Sequence, residues 1–138
     1  MKKITFLFLV LFFVSCNKEN DTLDGKTFVG VEKKSGCSDL ILVQNSFTFY
    51  GDSVLLKSKY IKHFSKELMK QSYQYKGKVE KKQSEIDLTV FAYKCPDCNL
   101  WNHVNAKTGK LEKLPDQKTF KGFFKDGLLL LNNFTYNQ

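Results

Sequence analysis

Arginine is absent from this 138-residue chain: all 22 basic side chains are lysine, against 14 acidic ones, for a formal charge of +8. Bidentate recognition of guanine edges and phosphates relies on the guanidinium fork. No nucleic-acid module is recognisable either, so nucleic acid is not an expected partner. Two prolines and eight glycines leave no low-complexity linker. Two histidines and scattered acids form no Gly-x-Ser-x-Gly elbow, phosphate loop or His-Glu-x-x-His helix, so no catalytic residue is assigned and an enzyme is not expected. Long apolar runs are also scarce. The one that stands out, Ile4 to Val14, is interrupted only by Thr5. At about 1.5 Å per residue it spans roughly half of a ~30 Å hydrocarbon layer, as a signal h-region does and a transmembrane helix does not.

What is present begins with an address. Met1-Lys2-Lys3 is a positive n-region, and the apolar run ends in Phe13-Val14-Ser15-Cys16. This order resembles the lipobox leader of bacterial lipoproteins. The resemblance implies a signal peptide over 1–15, a lipidated Cys16 as the new N-terminus and a membrane anchored through its acyl chains. Each buried CH₂ contributes about 0.8 kcal/mol, and more than one chain makes anchoring stable. Residues 16–24 then form a flexible tether. Its Asn17-Lys18-Glu19-Asn20-Asp21 stretch reads as a plain polar stalk or as one of the lysine-plus-acid tags that route some Gram-negative lipoproteins outward. The expected location is the bacterial outer membrane, facing periplasm or cell surface.

Without the leader, 20 lysines face 14 acids. Nine of those lysines lie between Lys57 and Lys82, against Glu67 and Glu80 alone. The segment from Lys59 to Gln71 places Ile61, Phe64 and Leu68 at helical spacing and Lys62, Lys66 and Lys70 on another face, which predicts one short amphipathic helix. His63 and Glu67 sit four apart on it. Together with Lys76 and Lys78, those three lysines form a candidate basic face, suited to an acidic ligand or protein.

The rest of the domain, 25–138, reads as β. Lys26–Lys34 alternates, a short strand follows at Leu40–Val43, and Asn45-Ser46 and Gly51-Asp52-Ser53 read as turns around Phe47–Tyr50. Two hairpins are stronger. Tyr73–Val79 is answered by Glu85–Tyr93, and a four-residue loop would oppose Val79 with Ile86 and Tyr75 with Val90. Phe120–Lys125 meets Leu128–Leu131 through Asp126-Gly127, the pair that a type I′ turn prefers. Leucines on both faces of that last strand predict burial on two sides. A further hairpin joins 100–104 to 110–114. Glycines inside three predicted strands (Gly30, Gly77 and Gly122) fit the kinks of a closing sheet. The expected fold is mainly β, a small antiparallel barrel or sandwich with one short helix. The opening Leu23-Asp24-Gly25-Lys26-Thr27-Phe28-Val29-Gly30 resembles the first strand of lipocalin-like small lipoproteins, a resemblance that implies a lipocalin-like barrel.

Three cysteines remain after Cys16. Cys95-Pro96-Asp97-Cys98 has the spacing of a redox dithiol, but it follows a strand rather than opening a helix. Cys37, Cys95, Cys98 and His103 are the right types and number for a closed structural zinc site. In an oxidising compartment a disulfide is commoner, either from Cys37 to Cys95 or Cys98, or between Cys95 and Cys98. No cofactor is expected, with structural zinc as the alternative.

Three roles fit these features. One is a non-catalytic binding module, holding a small or acidic ligand in a cavity lined by Tyr73, Tyr75 and Trp101 or on the lysine face. The others are an inhibitor or immunity protein against an attacking enzyme or toxin, and a structural accessory of an envelope complex.

Overall fold

In the computed structural model the described residues are 22–35, 40–63, 66–69, 72–93, 102–104, 110–113 and 115–138. They form β1 (Thr27–Ser35), β2 (Leu40–Tyr50), β3 (Ser53–Lys62), α1 (Lys66–Met69), β4 (Ser72–Lys82), β5 (Glu85–Tyr93), β6 (Asn102–Val104), β7 (Leu111–Lys113), β8 (Gln117–Lys125), β9 (Leu128–Leu131) and β10 (Phe134–Tyr136). Eight of the strands make one antiparallel sheet in the order β1-β2-β3-β4-β5-β8-β9-β10, while β6 and β7 pair as a separate hairpin. The two ends of the sheet meet. Val29 N–H donates to Asn137 O at 2.7 Å and Asn137 N–H returns a 3.1 Å bond to Val29 O, so a single bridge nearly closes a small barrel.

Period-2 alternation drives this closure. Along β2, Ile41, Val43, Asn45, Phe47 and Phe49 all point inward and are buried, while their neighbours are only partly covered. The inward sets of the other strands join them in one core. Two glycines let the strands approach. A Cβ on Gly77 would overlap the Thr89 carbonyl oxygen, and one on Gly122 would overlap that of Leu130.

Four sequence expectations change. Asn45-Ser46 is not a turn, because Asn45 finds hydrogen-bond partners inside the barrel and β2 runs through it unbroken. The helix expected over Lys59–Gln71 is reduced to the four residues of α1. Its first third instead extends β3, where Tyr60 is buried and Ile61 faces outward. The β4–β5 loop is a two-residue turn at Gln83-Ser84, with Gln83 at φ 57°, rather than a four-residue loop. Val79 therefore opposes Leu88, Tyr75 opposes Ala92 and Lys82 opposes Glu85. This shift of two residues keeps each side chain on its face, pairs Lys82 with Glu85 and sets Glu80 opposite Asp87. Finally, β9 is buried on one side only: Leu129 and Leu131 are in the core, but Leu128 is 50% and Leu130 36% exposed. The type I′ turn is as expected, with Asp126 and Gly127 both at positive φ.

Candidate functional site

A ligand cavity of the lipocalin kind would lie inside the barrel. At its lower end, near the Gly51-Asp52 and Asp126-Gly127 turns, rings fill the space edge to face. Phe28 stands 5.5 Å from Phe124 and 5.8 Å from Phe49, and Phe47 stands 5.2 Å from Phe120 and 4.9 Å from Tyr136. Such pairs are ordinary core packing, with an edge of one ring against the face of the next. Lys26 and Lys81 reach over the Phe124 ring at 5.4 and 5.3 Å. A groove of about 700 Å³ at this end lies between Leu23 and Asp24, the Gly51-Asp52 turn, and Val79 and Lys81 of β4. It is open to solvent and stands outside the core.

The upper interior carries polar groups, several of them hydrogen-bonded to one another. Glu32 Oε1 accepts from Tyr136 Oη at 2.9 Å and from Asn45 Nδ2 at 2.8 Å. Asn45 Oδ1 in turn accepts from Ser58 Oγ at 2.6 Å. Tyr75 Oη donates to the Pro115 carbonyl at 2.9 Å, and the Lys118 ammonium sits 4.6 Å from the Tyr75 ring centroid. Burial pushes the phenols of Tyr60, Tyr73 and Tyr136 above their usual value and raises Tyr75 to about 12. For Tyr136 the carboxylate of Glu32 adds to that rise. Burial lowers His63, whose ring packs 4.9 Å from that of Tyr60. These phenols stay protonated near neutrality and act as neutral hydrogen-bonding groups, not as bases.

The outer surface is different. Outward positions of β2 to β5 fall into rows set by the register. Lys76 stands between Leu55 and Phe91, Lys78 between Ser53 and Thr89, Lys57 between Ser46 and Gln74, and Lys59 between Gln44 and Ser72. All four lysines are exposed, and so are Phe91 (54%) and Tyr93 (38%). The Lys76 ammonium lies 3.6 Å from the Tyr93 ring centroid, a close cation–π contact. No acid occupies any outward position in these rows. Among the described residues, Glu80 and Asp87 face each other one outward position beyond Lys78 and Thr89, and Asp87 is 4.0 Å from Lys121.

Sequence reasoning singled out part of this surface. Of the candidate basic residues, Lys76 and Lys78 lie on the face, Lys62 is exposed at the end of β3, and Lys66 is exposed on α1. Lys70 lies outside the described residues. So do Cys16, Cys37, Cys95, Cys98 and Trp101, while His103 is placed only as a backbone position of β6. Tyr73 and Tyr75 are core residues. Lys57 and Lys59 belong to the lysine-rich stretch of the sequence, and only the strand register joins them, with Phe91 and Tyr93, to this face. The signal of the two rings was legible: both continue the polar phase of β5, after Glu85, Asp87 and Thr89.

No protein-family model matches the chain, and no curated protein and no solved structure gives a significant match to it.

Proposed function

We propose that the protein is a lipid-anchored envelope protein of the bacterial outer membrane, facing periplasm or cell surface. It acts as a non-catalytic binding module whose ligand is acidic and is held on the outside of the barrel. The leader and Cys16 support the anchor. One observation carries the binding role: Lys57, Lys59, Lys76 and Lys78 share an exposed face without a single acidic neighbour in its rows. Lys76 and Lys78 project about 7 Å apart along one strand. In water that spacing costs roughly 0.6 kcal/mol per pair, although Glu80, the next outward residue of β4, offsets it for Lys78. The repulsion is tolerated by the free protein and relieved by a polyanion. The packed rings of the lower interior weigh against the barrel cavity as the ligand site.

The test uses the full chain expressed with its leader. Labelled fatty acid should enter the wild type and be lost in Cys16→Ala. The extracted protein should be retarded by polyanions in affinity electrophoresis, and the retardation should disappear with Lys57, Lys59, Lys76 and Lys78 all changed to Gln. Equal mobility of wild type and variant with every polyanion would remove the binding role.

A further inference from the structure

We infer that the acidic ligand of the β3–β5 face is an anionic polysaccharide, and this holds only if that face binds an acidic ligand, as proposed above. Charge alone would admit an acidic protein or a nucleic acid as well. The other side chains on the face narrow the choice.

Lysines stand at its centre. Protein–protein interfaces are depleted of lysine there and are built around aromatic and arginine anchors sunk in an apolar patch. Here the two exposed rings on its β5 side, Phe91 and Tyr93, are separated from other exposed apolar groups by neutral polar side chains. Gln44, Ser46, Thr48, Gln74, Thr89 and Gln117 occupy the surrounding outward positions. Gln offers both donor and acceptor atoms, and Ser and Thr hydroxyls do the same, which is the complement of a sugar hydroxyl. An exposed aromatic ring offers a flat apolar platform for the C–H face of a pyranose. Phe91 lies directly opposite Lys76, and Tyr93 lies against its ammonium. A sugar stacked on Phe91 therefore brings an anionic group beside the Lys76 ammonium.

Each lysine ammonium pairs as a compact point charge with one oxygen of an anionic group, and this chain has no guanidinium fork for either carboxylate or phosphate. The surface is the outside of a barrel, so it cannot enclose a free monosaccharide. It suits an extended polymer laid across several strands, where many weak contacts combine.

Affinity electrophoresis of the detergent-extracted full chain tests this with four defined polymers: polygalacturonate, its methyl ester, poly-glutamate and oligothymidylate. Polygalacturonate should retard the protein most. The methyl ester, which keeps the sugar rings and loses the charge, and poly-glutamate, which keeps the charge and loses the rings, should each bind on the order of tenfold more weakly. Phe91→Ser with Tyr93→Ser should weaken polygalacturonate and leave poly-glutamate unchanged. Circular dichroism checks the fold of that variant, and the polymer comparison needs no variant at all. If poly-glutamate retards the protein as strongly as polygalacturonate, the acidic-ligand role stands and the sugar assignment falls. Stronger retardation by oligothymidylate also overturns the assignment. If no polyanion retards it, both the role and the assignment fall.

Discussion

Tyr136, near the C-terminus, donates its phenol proton to Glu32 of β1 at 2.9 Å, across 104 positions of sequence. The bond ties the last strand to the first just above the single bridge between Val29 and Asn137. Asn45 donates to the same carboxylate oxygen, and Ser58 donates to Asn45, so β1, β2, β3 and β10 are joined by one chain of side chains inside the barrel. A hydrogen bond to a charged acceptor in a low-dielectric site is stronger than one between neutral groups.

Tyr136→Phe keeps the ring against Phe47 and removes only that hydroxyl. The expected loss is about 1.5 kcal/mol, read as a lower urea midpoint with an unchanged slope. Asn45→Ala together with Tyr136→Phe should cost a different amount from the sum of the two alone, because both donors share one oxygen. Strict additivity would show that the two bonds act independently.

Glycine substitutions should separate close approach from backbone conformation. At Gly77 and Gly122 an added Cβ meets a carbonyl oxygen of the next strand, so Gly→Ala forces the sheet apart and should cost more than about 2 kcal/mol. Gly51 has open space around it but a φ of 59°, so Gly51→Ala should cost about 1 kcal/mol. Thermal melts of the three variants give the order directly. A Gly51 variant as unstable as the other two would contradict the packing described.

Alkaline pH should unfold the protein through its tyrosines. The folded-state values of Tyr60, Tyr73, Tyr75 and Tyr136 lie above the ordinary 10.0, because burial favours the neutral phenol. The unfolded chain therefore loses these protons first, and stability is intact below pH 10 and falls above it. Tyrosinate absorbance from these four residues should appear together with loss of the β circular dichroism signal. Full ionisation with the fold intact would refute the burial argument.

A smaller acid effect is expected from His63. Its folded-state value is lowered from 6.5 by burial, so the unfolded chain takes up the proton more readily. Stability is complete above that value and declines as pH falls below it. Urea midpoints across this range should slope in the wild type and flatten in His63→Gln.

How legible the site was depended on the kind of signal. Lys76 and Lys78 were placed on one face from alternation alone, because successive outward residues of one strand share a side. Lys57 and Lys59 could not be joined to them, since that requires the β3–β4 register. The register depends on where β3 ends, and helical spacing in Ile61, Phe64 and Leu68 concealed that end. Asn45 misled for a related reason. As a turn-forming residue it suggested a break, whereas its amide is used by Glu32 and Ser58, which are 13 positions away on either side. Leu128 and Leu130 misled in the opposite direction: an apolar side chain does not report whether another layer exists to cover it.

The sequence by itself determined the β character, the Asp126-Gly127 turn, the Tyr73–Tyr93 hairpin without its exact register, and the excess of lysine over acid. Each follows from chemistry local to a few residues: side-chain alternation, positive φ and charge. Only the tertiary structure decided that the sheet closes on itself, that aromatic rings fill its lower interior, and that the lysines of β3 and β4 share one face with Phe91 and Tyr93. Those relationships depend on strand register and closure, which are set by the joint packing of inward side chains from every strand and are carried by no single segment.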